Sequence, residues 1–139
     1  MSEESEFHIR MTEHNFPLPK VASDKPVLID MAICLTACKW GSGDCGPQML
    51  EHLLITLAES MEKPKYLILM DSAVFLVTDN TLLECKEALD KLDEAGVKIL
   101  VSEASARHYG QIACIRQGAV VKFQDIAKLL LSVERFVSL

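Results

Sequence analysis

Apolar positions along the chain follow two different spacings. Short apolar runs of strand length occur at 27–33, 66–70, 97–101, 119–121 and 135–137. Between them, apolar residues recur every three or four positions at about 47–61, 81–95 and 123–132. The short runs predict buried β-strands, and the longer spacing predicts amphipathic α-helices. Because strands and helices alternate with short connections, the pattern predicts a parallel sheet with helices on both faces.

Individual residues indicate where the predicted helices begin and end. Pro47 suits the first turn of the first helix. Thr81 and Glu84 have the spacing of a capping box at the start of the second helix, and Gly96 suits the position just after its end. These signals place the third strand directly after Gly96.

The loops after the first three predicted strands contain most of the polar candidates. In a parallel sheet the carboxyl ends of the strands share one edge, and ligands bind in the loops beyond them. The loop after the second strand contributes Ser72, and the loop after the third contributes Ser102, Ser105, Arg107, His108 and Tyr109. We therefore expect a pocket at this edge, completed by the loop after the first strand.

The loop after the first strand contains Gly41, Gly43 and Asp44. Backbone N–H groups between a strand and a helix can bind an anion, but a plain turn is the preferred interpretation. The Lys-Ser/Thr pair of a phosphate loop and the third glycine of a dinucleotide-binding loop are missing. No cofactor is expected.

Five cysteines in a chain without a secretory signal indicate reduced thiols rather than disulfides. The spacing Cys34-x3-Cys38-x6-Cys45 matches neither usual zinc pattern, although a soft metal site or a redox pair stays an alternative. Cys38 and Cys45 lie in a polar loop and near a helix start, where a thiol is more reactive. They and Cys114 are the candidate reactive thiols, whereas Cys34 and Cys85 are expected to pack in the core.

The two serines after the third strand lack the surroundings of a hydrolytic nucleophile. Such a serine needs an adjacent base, and His108 is the histidine near them in sequence. The Gly-x-Ser-x-Gly pattern of a nucleophile elbow is missing. Arg107, His108 and Tyr109 are interpreted as an exposed helix start, or as residues that position a polar or anionic ligand or form a subunit contact.

Composition and charge narrow the class of protein. Of the 139 residues 50% are hydrophobic, enough for one domain, which we assign to 26–139. Residues 1–25 are polar without a sustained period, and are predicted to form a tail or arm. The net charge of -6 argues against nucleic acid and anionic membranes as partners. The glutamate-rich start is unlike a secretory signal, and no apolar run approaches the roughly 20 residues of a membrane span. A cytoplasmic protein is expected.

Several segments have an order and spacing that resemble a known family. They are YLILMDSAV (66–74), GVKIL (96–100), Tyr109-Gly110, QGAV (117–120), Asp125-Ile126, RFVSL (135–139) and the loop GSGD (41–44). On these residues, 26–139 resembles the DsrE/TusD-like family, most closely the carboxyl-terminal domain of YedF-type selenium-metabolism proteins. The resemblance implies a three-layer α/β/α sandwich with a five-stranded parallel sheet.

The resemblance also implies intracellular sulfur relay. Active members hold sulfur as a persulfide on a cysteine just after the third strand, eight residues before a glycine. Ser102 has that position relative to Gly110, and Ser105 stands where YedF-like proteins often have a second cysteine. A hydroxyl cannot replace the thiolate in persulfide exchange, because the reaction needs a sulfur nucleophile that can itself leave.

Three explanations for the two serines stay open. A cysteine from another loop has taken over, with Cys38 or Cys45 preferred and Cys114 next; or the protein is a non-catalytic subunit or binding module; or the cysteine loop binds a metal. The resemblance further implies a homo-oligomer, as dimer, trimer or hexamer. It also implies a separate sulfur-carrier protein as partner, because the sulfur-carrier domain of YedF-type proteins has no counterpart in this sequence.

Overall fold

The computed structural model of the chain describes residues 26–139. The strands in this range are β1 (Val27–Leu35), β2 (Glu62–Leu69), β3 (Lys98–Ser102), β4 (Ala119–Val121) and β5 (Arg135–Ser138). The α-helices are α1 (Gly46–Glu59), α2 (Leu83–Glu94), α3 (Glu103–His108) and α4 (Phe123–Ser132). Two short 3-10 helices span Asp71–Val77 and Ile112–Cys114. The tail or arm predicted for residues 1–25 lies outside the described residues.

The strands form one sheet in which every pairing is parallel. Their order is β4-β3-β2-β1-β5. The register aligns Leu35 of β1 with Leu69 of β2, and Leu69 with Val101 of β3. The carboxyl ends of these three strands therefore lie side by side at one edge. The predicted five-stranded parallel sheet is confirmed.

Helices cover both faces of the sheet, which gives the expected three layers. On one face, α1 and α2 bury leucines such as Leu50 and Leu89 against the strands. On the other face, α4 buries Ile126 against Cys34 and Ile68. Each fully buried Leu or Ile side chain stabilises the fold by about 1.5–3 kcal/mol relative to an exposed one. No helix within residues 26–139 is long and apolar enough to cross a membrane.

Two strands are longer than the sequence pattern predicted. β1 continues to Leu35, and β2 begins at Glu62 rather than at Tyr66, so that Pro64 lies inside it. Proline lacks a backbone N–H and is excluded from the middle of a fully paired strand. At Pro64, however, β2 pairs with β1 alone, because the pairing with β3 starts at Tyr66. The proline therefore removes no hydrogen bond to β3.

The predicted capping box at the start of α2 is wrong. The N-cap residue is Leu82, and no side chain caps the helix. The preceding chain forms the 3-10 helix 71–77, which the sequence pattern did not predict. Thr78 ends that helix, since its hydroxyl donates to the Phe75 carbonyl oxygen at 2.9 Å. Glu84 still lies in the first turn of α2, where its charge suits the helix dipole.

Gly118 provides a test of how β4 is placed against β3. Its φ is +86, and an added Cβ would lie 2.9 Å from the Ile99 carbonyl oxygen. Both the backbone conformation and the space therefore require glycine. We expect Gly118→Ala to lower the free energy of unfolding by about 1–3 kcal/mol, measured by urea denaturation.

Gly43→Ala is the matched control for this substitution. A Cβ at Gly43 would meet nothing within 4 Å. The control is expected to change the free energy of unfolding by no more than about 0.5 kcal/mol. Equal effects of the two substitutions would contradict the close packing of Gly118 on β3.

Candidate functional site

Three loops meet at the carboxyl edge of the sheet. The loop 36–45 follows β1, the 3-10 helix 71–77 follows β2, and α3 follows β3. A backbone hydrogen bond joins the ends of β1 and β2: the Met70 N–H donates to the Leu35 carbonyl oxygen at 2.9 Å. The site described below is formed by side chains and backbone groups of these three loops.

Ser102 lies where β3 turns into α3, and it has a structural contact there. It is the N-cap residue of α3, and its Oγ accepts the Ser105 backbone N–H at 3.2 Å. Serine is favoured at this position because its oxygen satisfies an otherwise unpaired N–H of the first turn. Ser102 is only 2% exposed. Its hydroxyl is thus engaged and covered.

Ser105 connects α3 to the loop after β2. Its Oγ accepts the Asp71 backbone N–H at 2.8 Å. Asp71 also accepts a hydrogen bond on Oδ1 from the Tyr109 hydroxyl at 2.6 Å. We call Asp71, Ser105 and Tyr109 the Asp71 cluster. It joins the loops after β2 and β3 through two hydrogen bonds.

The backbone of Asp71 is strained. Its φ is 53, and it is the non-glycine residue with positive φ in the part of the chain that the structure describes. Aspartate tolerates this left-handed region better than most residues, but the conformation persists only where its surroundings hold it. The hydrogen bonds that Asp71 donates to Ser105 and accepts from Tyr109 supply those surroundings. Asp71 was not among the site residues predicted from the sequence, although an aspartate directly after an apolar strand was a usable signal.

The Tyr109 ring is held by neighbouring aromatic rings. It meets Phe75 edge-on with centroids 5.3 Å apart, and His108 with centroids 4.8 Å apart. The hydrogen bond to Asp71 raises the pKa of the Tyr109 phenol, because it stabilises the protonated form. Arg107 is engaged on the surface of α3, where its guanidinium donates to Glu103 at 2.9 Å. The Arg107 guanidinium is thus paired with Glu103 on the same helix.

Cys38 contacts the backbone of the 3-10 helix that follows β2. Its thiol donates to the Ser72 carbonyl oxygen at 3.1 Å, and Ser72 is the neighbour of Asp71 in the chain. The side chain is half-buried, and burial raises the pKa of the thiol. Cys85 of α2 packs on the same side of the sheet, and its pKa is raised to about 11 by burial, with smaller contributions from Glu51, Cys38 and Glu84.

The other cysteines lie apart from the Asp71 cluster. Cys34 is buried on the α4 face of the sheet, as expected for a core thiol, and its Sγ lies 3.6 Å from Met70 Sδ. Cys45 is exposed as the N-cap residue of α1, with Sγ 3.8 Å from Met49 Sδ. Cys114 is exposed at the end of the second 3-10 helix. Among the described residues, no hydrogen bond joins Cys45 or Cys114 to the Asp71 cluster.

The glycine loop forms an open turn beside these residues. Gly41 has φ +92, and Gly41, Gly43 and Asp44 are all exposed. The turn closes where the Trp40 N–H donates to the Gly46 carbonyl oxygen at 2.9 Å. Within residues 26–139, no three His, Cys, Asp or Glu side chains converge as they would to hold a metal ion.

Comparisons with known proteins support the fold at this point. The chain matches no family model and no curated protein. Among solved structures it is similar to the crystal structure of the YchN protein from E. coli, with a TM-score of 0.56 and 14% sequence identity. The similarity covers 82% of this chain and 99% of YchN. The fold is DsrE-like. At this level of identity the likeness shows the architecture alone.

The contact between Tyr109 and Asp71 predicts a measurable titration. We expect Asp71→Asn to lower the pKa of Tyr109 toward the ordinary value of 10.0, because the substitution removes the charge that stabilises the protonated phenol. Asparagine also tolerates the left-handed backbone. The measurement is the ultraviolet absorbance of tyrosinate against pH, in a Tyr66→Phe background that leaves Tyr109 as the reporter.

The sign of the stability change follows from the same contact. Since the folded pKa is raised, the hydrogen bond stabilises the fold fully below the ordinary pKa of tyrosine, and this contribution is lost as the pH rises through the raised value. An unchanged Tyr109 midpoint in Asp71→Asn would show that the two side chains do not interact in solution.

Proposed function

We propose that the protein is a sulfur-relay protein of the sulfurtransferase type, and that Cys38 carries the sulfur as a persulfide. The observation that carries the proposal is the 3.1 Å contact between the Cys38 thiol and the Ser72 carbonyl oxygen, which lies at the carboxyl edge of the sheet. Ligands of parallel α/β proteins bind at this edge. Cys45 and Cys114 are alternative thiols without that contact.

The chemistry requires only a donor persulfide. After Cys38 loses its proton to solvent, the thiolate attacks the outer sulfur of the donor. The sulfur–sulfur bond of the donor breaks, and the donor thiolate leaves and takes up a proton. Cys38 then carries one additional sulfur, which an acceptor thiolate removes by the same exchange. No oxidant or reductant is consumed. The proposed donor or acceptor is a sulfur-carrier protein.

The burial of Cys38 makes its uptake of sulfur depend on pH. Because burial raises the pKa of Cys38, the thiolate is a small fraction of the population at neutral pH. Sulfur uptake is therefore expected to become faster as the pH rises toward the raised pKa. The contact with Ser72 acts in the same direction, since only the protonated thiol donates a hydrogen bond.

A non-catalytic subunit or binding module is the second candidate function. It is favoured by Ser102, which stands at the usual sulfur-carrying position but is covered and engaged as a helix cap. Apolar side chains also remain exposed on α4 and β5: Leu131 is 88% exposed, Phe123 54% and Phe136 43%. Exposed apolar groups of this size support association with further copies of the chain.

Intact mass spectrometry after incubation with a small-molecule persulfide donor tests the proposed function. We expect the mass of one added sulfur atom, located on Cys38 by peptide mapping and removed by reductant. Cys38→Ser should abolish the adduct, because no other thiol has the same contacts at the sheet edge. Cys45→Ser and Cys114→Ser are the matched controls, and both should retain it.

Two other results would favour different accounts. An adduct that survives Cys38→Ser but disappears in Cys45→Ser or Cys114→Ser would contradict the assignment to Cys38. The absence of an adduct on every cysteine, together with a stable complex of the chain with itself or with a cysteine-bearing relative, would favour the non-catalytic subunit.

A further inference from the structure

The residues around Asp71 connect the loop after β3 to the Cys38 thiol. Asp71 is held from one side by Ser105 and Tyr109. The next residue, Ser72, accepts the Cys38 thiol hydrogen on its carbonyl oxygen. The hydrogen bonds that hold Asp71 and the contact that holds Cys38 thus fall on two adjacent residues. A change in either Ser105 or Tyr109 is transmitted to Cys38 through a single stretch of backbone.

The strain at Asp71 makes this connection sensitive to the contacts that hold Asp71. A φ of 53 is unfavourable for an aspartate and relaxes when its contacts are removed. Relaxation rotates the peptide that follows Asp71, and that peptide precedes the Ser72 carbonyl. Such a rotation would move the Ser72 carbonyl oxygen relative to the Cys38 thiol that donates to it. The Tyr109 ring, which packs against Phe75, covers the same side of the sheet as Cys38.

We propose that Asp71, Ser105 and Tyr109 are positioning residues that hold the Cys38 thiol against Ser72 and thereby lower its reactivity. The proposal rests on the proposed function only in its choice of Cys38 as the reacting thiol. Ser105 and Tyr109 then control the reactivity of Cys38 and take no direct part in sulfur exchange. Their effect is therefore measurable with any thiol reagent.

Protonation is the physical reason why release changes reactivity. A thiol that donates to a carbonyl oxygen is stabilised in its protonated form, and the thiolate is the nucleophile. The titratable groups near Cys38 are Cys85 from α2, Asp71 from the 3-10 helix and Tyr109 from the end of α3. Ser105→Ala leaves all three groups in place, and Tyr109→Phe removes only the phenol, which is uncharged at neutral pH. A change in the Cys38 pH profile then reports on its contact with Ser72.

The test is the rate of alkylation of each cysteine by iodoacetamide, followed by peptide mapping across a range of pH. In Tyr109→Phe and in Ser105→Ala, we expect Cys38 to react faster at neutral pH and its pH midpoint to fall. The rate should rise up to about tenfold for each pKa unit by which the midpoint falls. Tyr66→Phe is the matched control, because it alters the other tyrosine of the chain, on the α4 face of the sheet. It should leave the alkylation rate and the pH midpoint of Cys38 unchanged.

Cys85 is the internal reporter of folding in the same samples. It is 4% exposed, so that its labelling reports global opening. The proposal is supported when Cys38 labelling rises in at least one variant while Cys85 labelling stays at the wild-type level. It is overturned when neither variant changes the Cys38 rate and midpoint. It is also overturned when Cys38 labelling and Cys85 labelling rise together in both variants. The Asp71 cluster would then stabilise the fold as a whole rather than position the Cys38 thiol.

The outcome is independent of sulfur uptake. Faster alkylation of Cys38 in the variants, together with no persulfide on Cys38, would leave the positioning role standing and remove the proposed function. A persulfide on Cys38, together with unchanged alkylation of Cys38 in both variants, would support the proposed function and remove the positioning role.

Discussion

The common register of β1, β2 and β3 is the constraint on which the site depends. Leu35, Leu69 and Val101 are aligned across the sheet, so the three strands end together. The chain leaves each strand at the same edge, and the side chains that follow meet there. Cys38 and Asp71, which are separated by more than thirty positions in the chain, become connected through Ser72 for this reason alone. The buried leucines of α1 and α2 stabilise the register from one face of the sheet.

Two serine hydroxyls of the loop after β3 hold the backbone in place. The oxygens of Ser102 and Ser105 accept backbone N–H groups, at the start of α3 and at Asp71 respectively. A hydroxyl oxygen is a stronger hydrogen-bond acceptor than a thiol sulfur, so serine fixes these two turns better than cysteine would. The loop keeps the architecture of a DsrE-like fold, and Ser102 caps α3 at its start.

The sequence was sufficient to predict the sheet and most helices, because apolar spacing reports directly on burial. It failed where local and tertiary effects compete. The capping-box pattern at Thr81 was overridden by the 3-10 helix before it, and Pro64 was accommodated because β3 does not pair at that point. Asp71 was not selected, since its importance comes from a backbone angle and from partners distant in sequence. The sequence selected both Cys38 and Cys45. Only the fold shows that Cys38 contacts Ser72, whereas Cys45 lies at the exposed start of α1.

The most direct measurement is a crystal structure of the protein after treatment with a persulfide donor. Our account predicts additional electron density for one sulfur atom beyond Cys38 Sγ, beside Ser72 and within the same loops as the Asp71 cluster. Ser102 should remain the cap of α3 in that structure. Density for the additional sulfur on Cys45 or Cys114, with Cys38 unmodified, would contradict the account.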